Sequence, residues 1–353
     1  MHIEDVQICD WIREQFEELI YEDLSESQKV HMYTRLNWSH QWGAFMAGKF
    51  NTMKRFGLEG CESFVPGLKY LIDRATEHGA RTFVIGMAHR GRLNTLANVV
   101  RKPMEVIMAE FQGITPQQGQ NETQASGDVK YHLGTTLKRT YEDTGTEIKL
   151  TLMANPSHLE AVNPCVAGRA RAEQHFLGGD EEDRKEVVPI VVHGDAAFAG
   201  QGIVYECLQM EDLPNYGVGG TVHVVINNQV GFTTTPDRAR SSVYCSEVAK
   251  AINAPIFHVN AQCMDEVARV FRIAAEYRQK FGKDVVIDLI GYRKMGHNEL
   301  DQPMFTQPLM YNIVKQMQPV RDIYRQQLIS EGIAEETLTQ IDKETVAELE
   351  SAY

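Results

Sequence analysis

Apolar positions along this chain follow two alternating periods from about residue 82 onward. Residues 187–192 (VVPIVV) and 221–226 (TVHVVI) are short apolar runs of the kind that strands buried on both faces produce. Between them, residues 201–213 have helical spacing, with Ile203, Val204, Leu208 and Met210 apolar. Strand, helix, strand predicts a crossover between parallel strands, with both carboxyl ends on one edge. Further strands are predicted over 82–87, 150–154, 256–259 and 285–292. Helices are predicted over 91–100, 159–174, 246–253, 264–281 and 308–330. Before residue 79 the spacing at 8–20 and 28–49 is helical, and Trp38, Trp42 and Phe45 read as packing residues. The Gly/Gln/Ser/Thr-rich stretch 113–128 reads as a surface loop. The expectation is therefore an α/β fold with a doubly wound, mainly parallel sheet over 79–330. A helical segment (1–78) precedes it and an acidic, helix-prone tail (331–353) follows; no internal repeat is present.

Composition narrows the class. Of 353 residues, 43% are hydrophobic and 24% charged, as in a soluble globular protein. No apolar run reaches the roughly 18–20 residues of a membrane helix. The amino terminus is acidic and amphipathic, unlike a signal peptide or an Arg-rich transit peptide. A net charge of −13 argues against a nucleic-acid surface. The six cysteines include no Cys-x-x-Cys pair and no zinc-like spacing with histidine, which fits reduced thiols in an intracellular compartment.

The candidate chemistry sits where the runs end. Gly194-Asp195 closes the first run and Asn227-Asn228 the second, so both pairs fall on the edge where open α/β sheets bind ligands. A carboxylate and an amide carbonyl suit Mg²⁺, which takes oxygen ligands and shares its shell with phosphates. A helix starting near residues 200–202 would offer N–H groups to the same phosphates. The alternative is a strand-end Asp capping a helix and an Asn pair in a turn. Arg90 lies between a strand end and a helix start, a fitting place to meet an anionic diphosphate. Arg92, two residues on, is a second candidate.

These pairs resemble the thiamine diphosphate motif, Gly-Asp-Gly followed by Asn-Asn, with Ala196 in the third position here. The chain also carries IGMAHRGRLN (85–94), GDVKYHLG (127–134), ANPSHLEAV (154–162), GFTTTPDRARSS (231–242), APIFHVN (254–260) and GYRKMGHNELDQPMFTQPLMY (291–311). In that order they are similar to the decarboxylating first component of the 2-oxoglutarate dehydrogenase complex, in which Gly-Asp-Ala is the usual form. The resemblance implies Asp195, Asn228 and the Val230 carbonyl as Mg²⁺ ligands, with Arg90, Ala196 and Ala197 also at the cofactor. It implies His89 and His132 facing the 2-oxo acid and its adduct, and His158 and His297 as further active-site residues. Thr136 falls near the substrate, and Lys130 and Tyr131 fix the loop of His132. Arg238, Arg240 and Ser242 border the diphosphate or the lipoyl access route. The other histidines, His193, His223 and His258 among them, are given structural places.

The implied reaction is oxidative decarboxylation of 2-oxoglutarate with thiamine diphosphate and Mg²⁺. The succinyl unit then passes to the lipoyl group of the dihydrolipoamide succinyltransferase component. The implied setting is a homodimer in the mitochondrial matrix, or in the cytoplasm of a bacterium, with no nucleic-acid partner and no membrane span. No second α/β unit follows residue 291, so the pyrimidine-binding domain of the family is expected to come from elsewhere. Two other readings remain: a paralogue acting on 2-oxoadipate, separated by one methylene worth about 1–3 kcal/mol, and a non-catalytic cofactor-binding subunit.

Overall fold

The computed structural model describes residues 2–19, 24–114, 132–140 and 145–353. Its centre is a seven-stranded sheet of β1 (Thr82–Met87), β2 (Thr135–Thr140), β3 (Glu147–Leu152), β4 (Val187–Gly194), β5 (Val222–Asn227), β6 (Ile256–Asn260) and β7 (Val285–Ile290). The strand order is β2-β3-β1-β4-β5-β7-β6. Every neighbouring pair is parallel except β2–β3. The α/β, mainly parallel architecture is thus the expected one.

The unbroken apolar runs are explained by cover on both faces. Phe83, Ile85, Val188, Ile190, Val224 and Ile287 point into the principal core, shared with helices Phe64–Glu77 and Met264–Phe281. The intervening Val84, Val187 and Val191 meet Val162, Val166 and Ala170, the last two from helix Asn163–Leu177. Val225 and Val286 meet Phe198, Val204 and Leu208 on the same side. Gly86 lets that layer close, since a Cβ there would stand 2.4 Å from a Val166 methyl. The principal core also takes in Leu36 from helix Glu26–Lys49 and Leu338 and Leu349 from the last helix, Glu335–Ala352. Asn37 donates to Thr345 at 3.0 Å and Tyr33 to Asp342 at 2.8 Å, so the acidic tail lies along an amino-terminal helix.

Several boundaries differ from the expected ones. The edge strand β2 (TTLKRT) carries no apolar run, because alternate residues are half exposed. The helix expected at 159–174 starts at Asn163, after Glu160 turns left-handed at φ 68°, and Pro164 sits in its first turn. The crossover helix expected at 201–213 runs only over Gly202–Leu208, and an unexpected short helix, Asp195–Gly200, precedes it directly at the end of β4. The helix expected at 91–100 is one turn, Arg92–Asn94, continued by a wide π turn over Thr95–Val100. The run 308–330 divides into Pro308–Val314 and Val320–Ser330 at Pro319, which cannot donate to a continuing helix. Most of the expected loop 113–128 lies outside the described residues.

Two buried guanidiniums tie loops to this frame. Arg92 donates to the carbonyls of Met87 (3.0 Å) and Leu133 (2.8 Å), and also to Met153. Arg278, 1% exposed, donates to the carbonyls of Gly220, Lys185, Arg184, Val187 and Val218 at 2.8–3.3 Å. Replacing Arg278 with Met removes the side-chain donor to Gly220 O and leaves the other four carbonyls to Gln174 and Gln279 alone. Arg278→Met should lower unfolding free energy by about 3–5 kcal/mol, read as a shifted urea midpoint at unchanged slope; a loss under 1 kcal/mol would contradict this account.

Candidate active site at the carboxyl edge of the sheet

The strand order reverses between β1 and β4, because the chain builds outward from β1 to β3 on one side and from β4 to β5 and β7 on the other. The carboxyl ends around such a reversal leave a crevice. Here it is a cavity of about 480 Å³. Ala88, His89 and Arg90 enter it from β1, Gly194–Ala197 from β4, Asn228, Val230, Gly231 and Phe232 from β5, and Arg293 and His297 from the loop after β7.

Asp195 opens helix Asp195–Gly200 and is 3% exposed. Burial pushes its carboxyl up to about 6, against the opposing pull of Arg240 and of the backbone N–H groups of Asp195 and Ala196. Its ion pair with Arg240 is long, 3.6 Å. Asn227 and Asn228 divide the work of the turn. The Asn227 amide donates to Asp288 at 3.0 Å, and its carbonyl oxygen accepts from the Gln229 N–H at 3.2 Å. Asn228 faces the cavity, and its side-chain oxygen is buried with no hydrogen-bond partner. Val230 lines the same wall. At Gly231 a Cβ would lie 2.6 Å from the Ala196 Cβ, so the two loops touch and a side chain at 231 would force them apart.

These residues fit a hard divalent cation. A weakly paired buried carboxylate and an orphaned amide oxygen, beside a backbone carbonyl, form the all-oxygen donor set that Mg²⁺ takes. Among the described residues no group of three or more His, Cys, Asp or Glu stands together as a metal cluster.

The opposite wall is aromatic and basic. His89 packs on Phe56 at 4.3 Å and lies 5.5 Å from His297, which in turn is 5.0 Å from Phe232. Burial, then the Arg90 charge, push His89 down to about 3; burial, then Arg90 and Arg293, push His297 down to about 4. Arg90 donates to the carbonyls of Gly57 (3.1 Å) and His297 (2.6 Å), joining two loops of the wall.

The expected residues therefore separate. His89, Arg90, Asp195, Ala196, Ala197, Asn228, Val230 and His297 line one cavity. His132 does not line it; it sits behind, 3.3 Å from the Ser157 hydroxyl and close enough for its charge to bear on His89. His158 is exposed, next to Leu159 on the rim. Arg92 is buried in the frame instead of facing ligand, and Thr136 bonds Thr151 across β2–β3 at 3.1 Å. Arg238 faces solvent, and Ser242 donates to the Tyr244 carbonyl. Lys130 and Tyr131 lie outside the described residues.

Sequence reasoning missed Phe56, Phe232, Arg293 and His193. Arg293 is buried and donates to Phe232 O at 2.9 Å and Met295 O at 3.2 Å. His193 lines the cavity and belongs to a chain of buried bonds, Glu160–His193 at 2.6 Å, His193–His223 at 3.0 Å and His223–Asp284 at 3.2 Å. A histidine breaking an apolar strand run at both 193 and 223 was the available signal.

Residues 36–353 match the family model described as dehydrogenase E1 component. The chain belongs to the dehydrogenase E1 component family. It is 50% identical over 334 residues to the mitochondrial 2-oxoglutarate dehydrogenase of Dictyostelium discoideum, covering 94% of this chain and 32% of that protein. The corresponding Saccharomyces cerevisiae protein is 50% identical over 331 residues, with 94% and 32% covered. The mitochondrial 2-oxoglutarate dehydrogenase-like protein of Rattus norvegicus is 51% identical over 344 residues, with 98% and 33% covered. This E1-family chain spans about a third of the length of those relatives.

The raised Asp195 carboxyl has a stability consequence. A group held at about 6 when folded and 3.8 otherwise favours the folded state fully below 3.8, and that contribution disappears as pH rises through 6. Asp195→Asn should therefore melt about 2–4 °C above the parent at pH 7.5, with the gain vanishing below pH 4. A variant that melts lower at pH 7.5 would show that the Arg240 pair outweighs burial.

Proposed function

We propose that this chain forms the diphosphate-binding part of a thiamine diphosphate-dependent 2-oxoglutarate dehydrogenase. The overall reaction would be oxidative decarboxylation of 2-oxoglutarate, with succinyl transfer to the lipoyl group of a dihydrolipoamide succinyltransferase component. The observation that carries the reading is the meeting of Asp195 with the unpartnered Asn228 oxygen at the carboxyl edge of adjacent parallel strands. The relatives' names support the substrate and the mitochondrial compartment.

In this reading Asp195, Asn228 and the Val230 carbonyl hold Mg²⁺, and Ala196 and Ala197 leave room and backbone N–H groups for the diphosphate. When bound, thiamine diphosphate supplies the electron sink for loss of CO₂. The chain itself supplies position and charge. Arg90 uses two of its five N–H donors on backbone carbonyls and keeps its cation on the cavity wall for an anion. His89 and His297, held at about 3 and 4, are neutral near pH 7, so they can both donate and accept hydrogen bonds with a 2-oxo acid. His132 and His158 enter as neighbours of that wall.

The mouth supports a covering partner. Phe232 on the cavity wall is 63% exposed, and Phe305 and Leu309, 87% and 82% exposed, flank Gln307, whose amide donates to Thr233 O in the adjoining loop. Clustered apolar exposure of this kind marks an interface, and in this reading the pyrimidine-binding domain and a second copy of the chain cover it.

Calorimetric titration of thiamine diphosphate with and without Mg²⁺ tests the site. Binding should require Mg²⁺ and weaken at least about tenfold, about 1.4 kcal/mol, in both Asp195→Ala and Asn228→Ala. Magnesium-independent binding, or full affinity in both variants, would sink the assignment. Initial rates on 2-oxoglutarate and 2-oxoadipate, measured on an enzyme containing the pyrimidine-binding domain, decide between the two acids.

A further inference from the structure

The loop after β5 folds back over the cavity. Thr234 and Ala239 line it, and Arg240, directly after the short helix Pro236–Ala239, reaches inward to Asp195. The two side chains are 12% and 4% exposed, with Nη1 3.6 Å from Oδ2. That separation exceeds the roughly 2.7–2.9 Å of a charge-assisted hydrogen bond. Arg240 Nε is also buried with no acceptor. The other guanidiniums on the wall are held differently: Arg90 and Arg293 donate to backbone carbonyls. Arg238, two residues before Arg240, is 83% exposed. The loop thus presents one loosely held cation to the carboxylate that opens helix Asp195–Gly200.

We propose that Arg240 and a divalent cation compete for the Asp195 carboxylate, so that metal uptake releases Arg240 and with it the 233–244 loop. The inference rests on the metal-site reading of Asp195 given above. A divalent ion binds a carboxylate oxygen at about 2.0–2.1 Å when it is Mg²⁺. With Arg240 in place, three positive charges would crowd one part-buried carboxylate, where repulsion is weakly screened. Arg240 satisfies only Asp195 and leaves the Asn228 oxygen without a partner, whereas a metal ion takes both oxygens. The metal therefore displaces the side chain, and the loop that carries it loses its inward tether.

Mn²⁺ serves as the probe, its free-ion paramagnetic resonance signal read against the full 353-residue chain without diphosphate. Arg240→Gln should bind Mn²⁺ about tenfold more tightly than the parent, while Arg240→Lys stays within about twofold. The second readout is tryptic cleavage after the exposed Arg238, followed by mass spectrometry. In the parent, Mn²⁺ should speed that cleavage; in Arg240→Gln it should be fast without metal. If Arg240→Gln does not fold, the metal response of the parent loop decides alone. Equal or weaker Mn²⁺ binding in Arg240→Gln, or a loop insensitive to Mn²⁺ in the parent, overturns the competition. Absence of Mn²⁺ binding in both proteins, even with thiamine diphosphate present, overturns the metal-site reading and this inference together.

Discussion

Parallel pairing of β4 with β5, with Gly194 opposite Ile226, is the constraint on which the site depends. A strand buried on both faces has no tolerance for slippage, because a shift of one residue exchanges every side chain between two filled layers. With that register fixed, Asp195 just past β4 and Asn228 just past β5 both reach one cavity at the shared carboxyl edge. Asp195 and Asn228 need no long-range loop to find each other. The same pairing, continued through β1 and β7, brings His89 and Arg90 in from one side and Arg293 from the other.

Much of this was legible in the chain itself. The central strands announce themselves as apolar runs because helices cover both faces, and the polar residues that end those runs are the ones lining the cavity. What was hidden follows a physical pattern. β2 is an edge strand whose half-exposed residues obey no apolar period. The helix break at Pro319 interrupts a stretch whose apolar spacing alone reads as continuous. His132 and Arg92 illustrate a deeper limit: a basic or imidazole side chain beside a motif can face ligand or anchor a backbone loop, and only tertiary geometry separates the two. Arg92 anchors; Arg90 anchors two loops and also lines the cavity.

The buried guanidiniums show how the protein divides stability from function. Arg278 is surrounded by carbonyls and holds five of them in place. Arg240 meets one carboxylate at 3.6 Å and leaves its Nε without an acceptor. Arg278 is well supplied with acceptors, while the cavity wall holds groups with hydrogen-bonding capacity to spare: the Asn228 oxygen, the raised Asp195 carboxyl and the neutral His89 and His297. Such sites are commonly less stable than they would be if optimised for folding alone.

The chain Glu160–His193–His223–Asp284 carries a count of its own. Three hydrogen bonds join its four groups, and each bond needs one hydrogen between its partners. Two neutral imidazole rings bring two hydrogens, and two carboxylates bring none. Two hydrogens cannot fill three contacts, so with both rings neutral one link goes without, and the longest of the three is His223 to Asp284 at 3.2 Å. Burial pushes His193 down and so favours the neutral ring, which leaves the slack at the end of the chain farther from the cavity that His193 lines.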